Sequence, residues 1–241
     1  MLPLSSAAVL AVWESASERS PAERALSLLT TCEPDTPVEQ LARLSVGQRD
    51  VRLFELRAAT FGQRLEVVGT CPDCTAPFEL ETRVRDLLVD TRRDIDPVGE
   101  VDADDVHVRF RLPDSMDLAV AARAPSAARL LLERCVVEAQ RGGTRIAAEE
   151  LAPAIVQAVG NRMREIDPQS EVELVLTCPS CGHRWRDLFD IASFLWTEIE
   201  TLALRLLQEV DVLARAYAWS EADILAMTPR RRRLYLDMAT T

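Results

Sequence analysis

Apolar and polar positions alternate along three stretches of this chain, and helical spacing governs most of the remainder. Leu65-Glu66-Val67-Val68-Gly69-Thr70 and Val172-Glu173-Leu174-Val175-Leu176-Thr177 read as strands. Val106-His107-Val108-Arg109-Phe110-Arg111-Leu112 alternates most cleanly, with one face to bury and Pro113 to end it. His107 falls on the polar side of that strand, beside Arg109 and Arg111. It reads as a surface residue rather than a metal ligand.

Before the first of these strands the signals are helical. Ser20-Pro21-Ala22-Glu23 is a capping box with proline at the first helical position, predicting a short helix to about Leu29. Thr36-Pro37-Val38-Glu39 repeats the signal and predicts a second helix through Leu44. Ser45 with Gln48 opens a third, carrying Val51, Phe54, Leu56 and Ala59 and stopping at Gly62. The apolar stretch Met1 to Val12 is short and has no basic n-region, so it does not read as a signal peptide.

Between the outer strands, Asp90 to Asp105 is acidic, holds Pro97 and Gly99, and reads as a solvated connection. Its spacing fits no EF-hand loop. Residues 115–167 read as helices. The clearest runs from Ser126 to Arg141, with Leu130, Leu131, Cys135 and Val136, and ends at Gly142-Gly143. Pro153 to Ile166 is the next. Beyond the last strand, Leu188, Ala192, Leu195, Ile199, Leu202 and Leu206 step by four and three, and Leu213 with Tyr217 resumes the seam. A helix over 188–217 would be about 45 Å long. Its seam either packs on the chain's own helices or forms a coiled coil with a partner. Ser220 starts another helix, and Thr228-Pro229 starts the last, with Arg230 to Arg233 in its first turn.

Composition sharpens the helical reading. Apolar residues make up 48 % and aromatics only 5 %, a mix that suits helices better than sheets. The net charge is −11, which gives no positive field for non-specific nucleic-acid binding. All 28 basic residues are arginine, which reads as codon composition before physics. No stretch approaches about 18 uninterrupted apolar residues, so none reads as a membrane span.

The candidate chemistry lies at two cysteine pairs, each directly after an outer strand: Cys71-Pro72-Asp73-Cys74 and Cys178-Pro179-Ser180-Cys181. At an offset of 107 the two stretches agree at Glu66/Glu173, Val68/Val175, Thr70/Thr177, and at Cys, Pro and Cys. An aromatic follows seven residues after the first cysteine in both, Phe78 and Trp185. One unit is used twice, a β-hairpin with a knuckle at its tip. Four thiolates at about 2.3 Å complete a tetrahedral zinc shell with no open position, which makes the zinc structural rather than catalytic. The rivals are two disulfides in an oxidising compartment and a redox pair, but neither Cys-x-x-Cys opens an obvious helix. Cys71, Cys74, Cys178 and Cys181 are therefore the expected zinc ligands. His183 is a weaker fifth candidate and reads better as a neighbour of the site. Cys135 reads as a buried small hydrophobe, and Cys32 as a free thiol in a loop.

The predicted fold is α+β and predominantly helical: a split four-cysteine zinc ribbon of two β-hairpin knuckles, a helical insertion and a long C-terminal helix. The divisions are an N-terminal helical region 1–62, a first knuckle hairpin 63–84, an inserted strand-plus-helices region 85–169, a second knuckle hairpin 170–187 and a C-terminal helical hairpin 188–241. In that last part, Leu225, Leu234 and Tyr235 are expected to cover the seam of the long helix.

Three segments together resemble the T4-type phage baseplate hub assembly proteins, found also in phage-like contractile injection systems. One is Leu44-Ser45-Val46-Gly47-Gln48-Arg49-Asp50 leading to Leu56-Arg57-Ala58-Ala59-Thr60-Phe61-Gly62, just before the first knuckle. Another is the second knuckle, Cys178 to Trp185. The last is Tyr217 to Leu225 with Arg232-Arg233-Leu234-Tyr235-Leu236. The resemblance implies a non-enzymatic role as chaperone or component, with other baseplate or hub proteins as partners and no small-molecule substrate. With no signal peptide and no membrane span to read, the expected location is cytoplasmic during assembly, with incorporation into the particle as the further outcome.

The only two histidines lie in no Ser/His/Asp set, and no phosphate loop is evident. The alternative function is a zinc-ribbon adaptor contacting nucleic acid, for which Arg64, Arg184, Trp185 and Arg186 beside the knuckles would supply cations and stacking. Partner-binding candidates are Trp219, Arg232, Arg233 and Tyr235. Cations in a helix's first turn oppose its dipole, so Arg232 and Arg233 are expected to face an acidic surface, on this chain or on a partner. Replacing both by Gln is expected to leave stability nearly unchanged.

Overall fold

The computed structural model describes residues 2–89 and 95–239. Helix α1 (Ser6–Ala16) is capped by the Ser5 hydroxyl, which accepts from the Ala8 N–H, and it buries Val9, Leu10 and Val12. The apolar N-terminal run is thus a core helix. Helix α2 (Pro21–Cys32) carries the Ser20/Glu23 capping box and runs one turn past Leu29, so Cys32 is a buried helical residue and not a loop thiol. Helix α3 (Val38–Ala42) forms without the expected Thr36 cap; its cap position is Pro37, which offers no side-chain acceptor. Helix α4 (Val46–Phe61) has the Ser45/Gln48 capping box and stops at Gly62, whose φ of 91° needs glycine.

Strands β1 (Arg64–Thr70) and β2 (Pro77–Arg83) form the first antiparallel hairpin, followed by the single turn α5 (Val84–Leu87). The acidic connection 90–105 is only partly open to description, because residues 90–94 lie outside the described residues. Its later part is a strand, β3 (Val98–Ala103), not a solvated link. Val101 and Ala103 pack on the core beneath it, while Glu100 faces Arg109 and Asp102 faces His107 of β4 (Val106–Arg111). Gly99 is there because the Phe110 ring lies against it: a Cβ would stand 2.5 Å from that ring. The glycine that reads as a breaker is a point of close approach.

Helix α6 (Ser115–Ala121) is capped by Asp114, and α7 (Ala127–Cys135) follows. The helix expected to reach Arg141 ends at Cys135. Val136 is extended, and β5 (Val136–Arg141) pairs with β4, turning at Gly142-Gly143 into β6 (Thr144–Arg145). Two β-branched valines and the need of β4 for a second neighbour override the helical spacing. Helix α8 (Pro153–Ile166) covers the four-stranded sheet β3-β4-β5-β6. Val108, Phe110, Ala139, Ile155 and Val159 fill the core between them.

Strands β7 (Glu173–Thr177) and β8 (Arg184–Leu188) form the second hairpin. Leu188 therefore ends a strand and is exposed, and helix α9 (Ile191–Tyr217) begins three residues later under an Asp190 cap. Its seam of Ala192, Leu195, Ile199, Leu206 and Leu213 is buried. Most of it packs with α1, α2 and α4 in the main core, which is the intramolecular outcome. Helices α10 (Glu221–Leu225) and α11 (Pro229–Ala239) fold back on α9. The cover is Ile224, fully buried, with Leu225 half-buried beside it; Leu234, expected as cover, is 53 % exposed.

The sheet module is tied to the main core by polar contacts. The Gly47 N–H donates to Asp167 Oδ2 at 2.8 Å, Val46 N–H to the Pro113 carbonyl at 3.2 Å, and Val89 N–H to Gln169 Oε1 at 2.7 Å. Asp117, wholly buried, accepts from Arg111 and Arg134 and locks α6 and α7 onto β4; those arginines hold its carboxyl well below the usual carboxylate range despite its burial. No helix among the described residues is long and apolar enough to cross a membrane.

Candidate metal centre

Each knuckle is built by the same two backbone hydrogen bonds. In the first, Cys71 N–H donates to the Ala76 carbonyl at 2.9 Å and Thr75 N–H to the Cys71 carbonyl at 3.0 Å. In the second, Cys178 N–H donates to the His183 carbonyl at 2.8 Å and Gly182 N–H to the Cys178 carbonyl at 3.0 Å. These are the same positions at the 107-residue offset read from the sequence. The residue that closes each turn is left-handed, Gly182 with φ 76° and Thr75 with φ 59°. Glycine adopts that backbone without strain; a β-branched threonine does not.

The two tips meet. All four sulfurs lie within 4.8 Å of one another, with Cys71 3.8 Å from Cys181 and Cys74 3.6 Å from Cys178. A tetrahedron of ligands at about 2.3 Å from a central ion has edges of about 3.8 Å, so the spacing fits one tetrahedral ion. Cys71 and Cys178 are buried, and Cys74 and Cys181 close the outer side. The backbone N–H groups of Cys181 and Ser180 point toward the Cys178 sulfur and bring its pKa down to about 6, favouring the thiolate a metal needs. The other site thiols do not share that shift: the His183 N–H draws Cys181 down, but its sulfur contacts to Cys74, Cys178 and Cys71 outweigh it and push it up to about 12, and Cys74 is raised as well. Away from the site, burial pushes Cys32 up to about 11 and Cys135 up to about 12.

Beneath the sulfurs, Phe78 and Trp185, the equivalent aromatics, meet edge to face with centroids 5.3 Å apart. His183 stacks on Trp185 at 5.8 Å and contributes no atom to the cysteine group. The hairpin bases are rooted in the main core through Leu65 and Val172.

One residue of the site's support was not singled out from the sequence. Arg57, on the buried face of α4, donates to Glu198 of α9 through both Nε, at 3.0 Å, and Nη2, at 2.7 Å. Its Nη1 donates to the carbonyls of Gly62 and Arg64, at the root of the first hairpin. A cation between Leu56 and the apolar stretch after it was the available signal.

The cations expected to serve a nucleic-acid adaptor are largely occupied. Arg64 pairs with Glu66 and Glu81, both at 3.0 Å, and Arg186 with Glu173 at 2.8 Å. Trp185 already meets Phe78 edge to face and stacks on His183. At the far end of the molecule, Tyr217, Trp219 and Tyr235 stack on one another, Trp219 4.5 Å from Tyr217 and 4.8 Å from Tyr235. Arg232 is not on the surface there. It is 2 % exposed and bonded to Glu209, Ser6 and the Met227 carbonyl, so its acidic counterpart is on this chain. Arg233 is exposed.

Residues 7–196 match the family described as T4 bacteriophage base plate protein. The chain belongs to that family. The matched span holds α2 to β8, including both cysteine pairs and the segment around Arg57. The C-terminal resemblance, Tyr217 to Leu236, lies beyond it. No curated protein and no solved structure matches the chain. Membership points to a structural or assembly role in the phage baseplate, among other baseplate proteins.

Proposed function

We propose that this protein is a non-enzymatic assembly factor of the baseplate hub, in a phage tail or a related contractile injection system, with one structural zinc holding its two halves together. The observation that carries the reading is the meeting of two cysteine pairs, 107 residues apart in sequence, inside the span that matches the baseplate family. Cys71, Cys74, Cys178 and Cys181 would hold the ion. The segment 85–169 is an insertion whose position the ion fixes, since both of its flanks end in a knuckle. A permanent, closed metal site supplies rigidity rather than chemistry, which suits a protein that works by presenting surfaces. The partner surface lies with Trp219, Arg233 and Tyr235, outside the matched span; Arg232 holds α11, which carries Arg233 and Tyr235.

The test is removal of the protein from cells that build the particle. Tails without baseplates, and co-purification of baseplate proteins with tagged protein, are the expected results. Normal baseplates in its absence would overturn the reading. Presence in finished particles would make it a component, and absence from them a chaperone.

A further inference from the structure

Helix α11 turns one side inward, with Arg232 on Glu209, and leaves the other open. The open side is not an ordinary solvated face. Arg230, Leu234 and Met238 follow one another at four-residue steps along one stripe, with Leu234 53 % and Met238 64 % exposed. Arg231 and Arg233 flank them, both exposed. The Arg231 guanidinium lies 5.6 Å from the Tyr235 ring centroid, against the stacked Tyr217 and Trp219. Among the described residues, none of these three arginines stands in an ion pair, while Arg232 and Arg205 both reach Glu209. Asp237 shares the open side as its one carboxylate among the described residues of α11. Glu221 and Asp223 are the first-turn carboxylates of α10, and Asp223 is held by Ser220. Three cations without an ion pair are thus held near the N-terminus of a helix, Arg230 and Arg231 in its first turn where the dipole opposes them, on a chain of net charge −11.

We infer that this open side of α11 is the seat of an acidic amphipathic helix belonging to a different protein. Its carboxylates would meet Arg230, Arg231 and Arg233, and its apolar stripe would cover Leu234 and Met238. The cations are forked donors suited to carboxylates, and the two apolar side chains between them match one stripe of a helix laid across. A second copy of this chain is a poor occupant. Copies of charge −11 repel, and a basic patch on one meeting an acidic surface on the next makes a head-to-tail contact rather than the self-complementary pairing of a two-fold dimer. The inference rests on the assembly reading above and names the chemistry of its partner surface.

The experiment uses the full chain and three synthetic helical peptides with the same leucine stripe, bearing Glu, Gln or Lys at the polar positions. Binding is read from fluorescence anisotropy of the labelled peptide. The Glu peptide should bind, less tightly as salt rises, and about tenfold less tightly to the Arg230→Gln/Arg231→Gln/Arg233→Gln variant. Leu234→Ser/Met238→Ser should weaken it as well, and the Lys peptide should not bind. Unchanged melting temperatures and thiol counts verify that both variants fold. Equal binding of the Glu and Gln peptides, equal binding by wild type and the triple variant, or no binding of the Glu peptide below about 1 mM overturns the inference. So does tighter capture of anionic vesicles or single-stranded DNA through the same arginines. Co-purification of baseplate proteins that survives in the triple variant removes this surface and leaves the assembly role standing.

Discussion

Cys74 and Cys178 belong to different hairpins and are 104 residues apart, yet their sulfurs lie 3.6 Å from each other. Their pairing, with that of Cys71 and Cys181 at 3.8 Å, crosses between the halves of the chain. An ion bound there ties α4 and the first hairpin to the second hairpin and α9, closing the loop that contains the whole β3–α8 module. Neither half can complete the site alone, because each knuckle offers only two sulfurs. Cys71→Ser and Cys178→Ser should therefore have the same effect from opposite ends of the loop. Both should lose the metal and lower the melting temperature, as expected where binding energy is folding energy. A marked difference between the two, followed by calorimetry, would mean that the halves do not depend on one another.

The Arg57–Glu198 pair should be the costliest polar contact near the hairpin root. Arg57 is buried and makes four hydrogen bonds across α4, α9 and β1. Arg57→Ala leaves Glu198 and two carbonyls without their donor and should destabilise by about 3 kcal/mol. Chemical denaturation measures it; a loss under about 1 kcal/mol would place the pair among ordinary surface bridges.

Arg232→Gln should likewise destabilise, by about 3 kcal/mol, because it removes the buried cation on Glu209, leaving that carboxylate only the exposed Arg205, and frees α11 from α9. Arg233→Gln should be neutral within about 0.5 kcal/mol. The burial of Arg232 replaces the expectation that changing both leaves stability nearly unchanged with this prediction of a loss at Arg232, which four adjacent arginines in sequence could not reveal. Only the return of α11 onto α9 places Glu209, 23 residues earlier, beside one of the four.

Thr75→Gly should stabilise by up to about 1 kcal/mol. The site is exposed and left-handed at φ 59°, and the equivalent position of the second knuckle is already Gly182. Gly182→Thr should cost a similar amount. Thermal melts of the two variants should move in opposite directions; movement in the same direction would contradict the equivalence of the knuckles.

Much of this was legible in the sequence where local chemistry decides the outcome. The Ser20 and Ser45 capping boxes, the Gly62 stop and both hairpins are set by residues within a few positions of one another. So was the four-cysteine group, because a repeated spacing carries its own geometry. What was misread depends on distant neighbours. The extension after Cys135 is imposed by β4, the strand over 98–103 by Phe110 lying on Gly99, and the burial of Arg232 by α9. Helical spacing at Leu130 and Leu131 is real, and it stops where a sheet claims Val136.

Asp50 should give a pH signature separable from the metal site. Burial raises its carboxyl to about 6, with Arg49, bonded at 2.7 Å, offsetting part of the rise. A folded pKa above the unfolded value means the native state binds the proton more tightly. Protonation of Asp50 thus favours the fold as pH falls from about 6 toward about 4. Acid loss of metal acts on wild type and Asp50→Asn alike. The stability of wild type relative to Asp50→Asn should therefore rise as pH drops from 7 to 4; a constant difference would show that Asp50 does not titrate there.

The central claim is a single ion held by four cysteines drawn from both halves of the chain. Elemental analysis of the protein purified at neutral pH without added metal, with thiol titration before and after chelation, tests it most directly. We predict one zinc per chain, Cys71, Cys74, Cys178 and Cys181 unreactive until a chelator removes it, and loss of the metal on replacing a cysteine of either pair. A folded protein with no metal and those four thiols free to react would contradict the account.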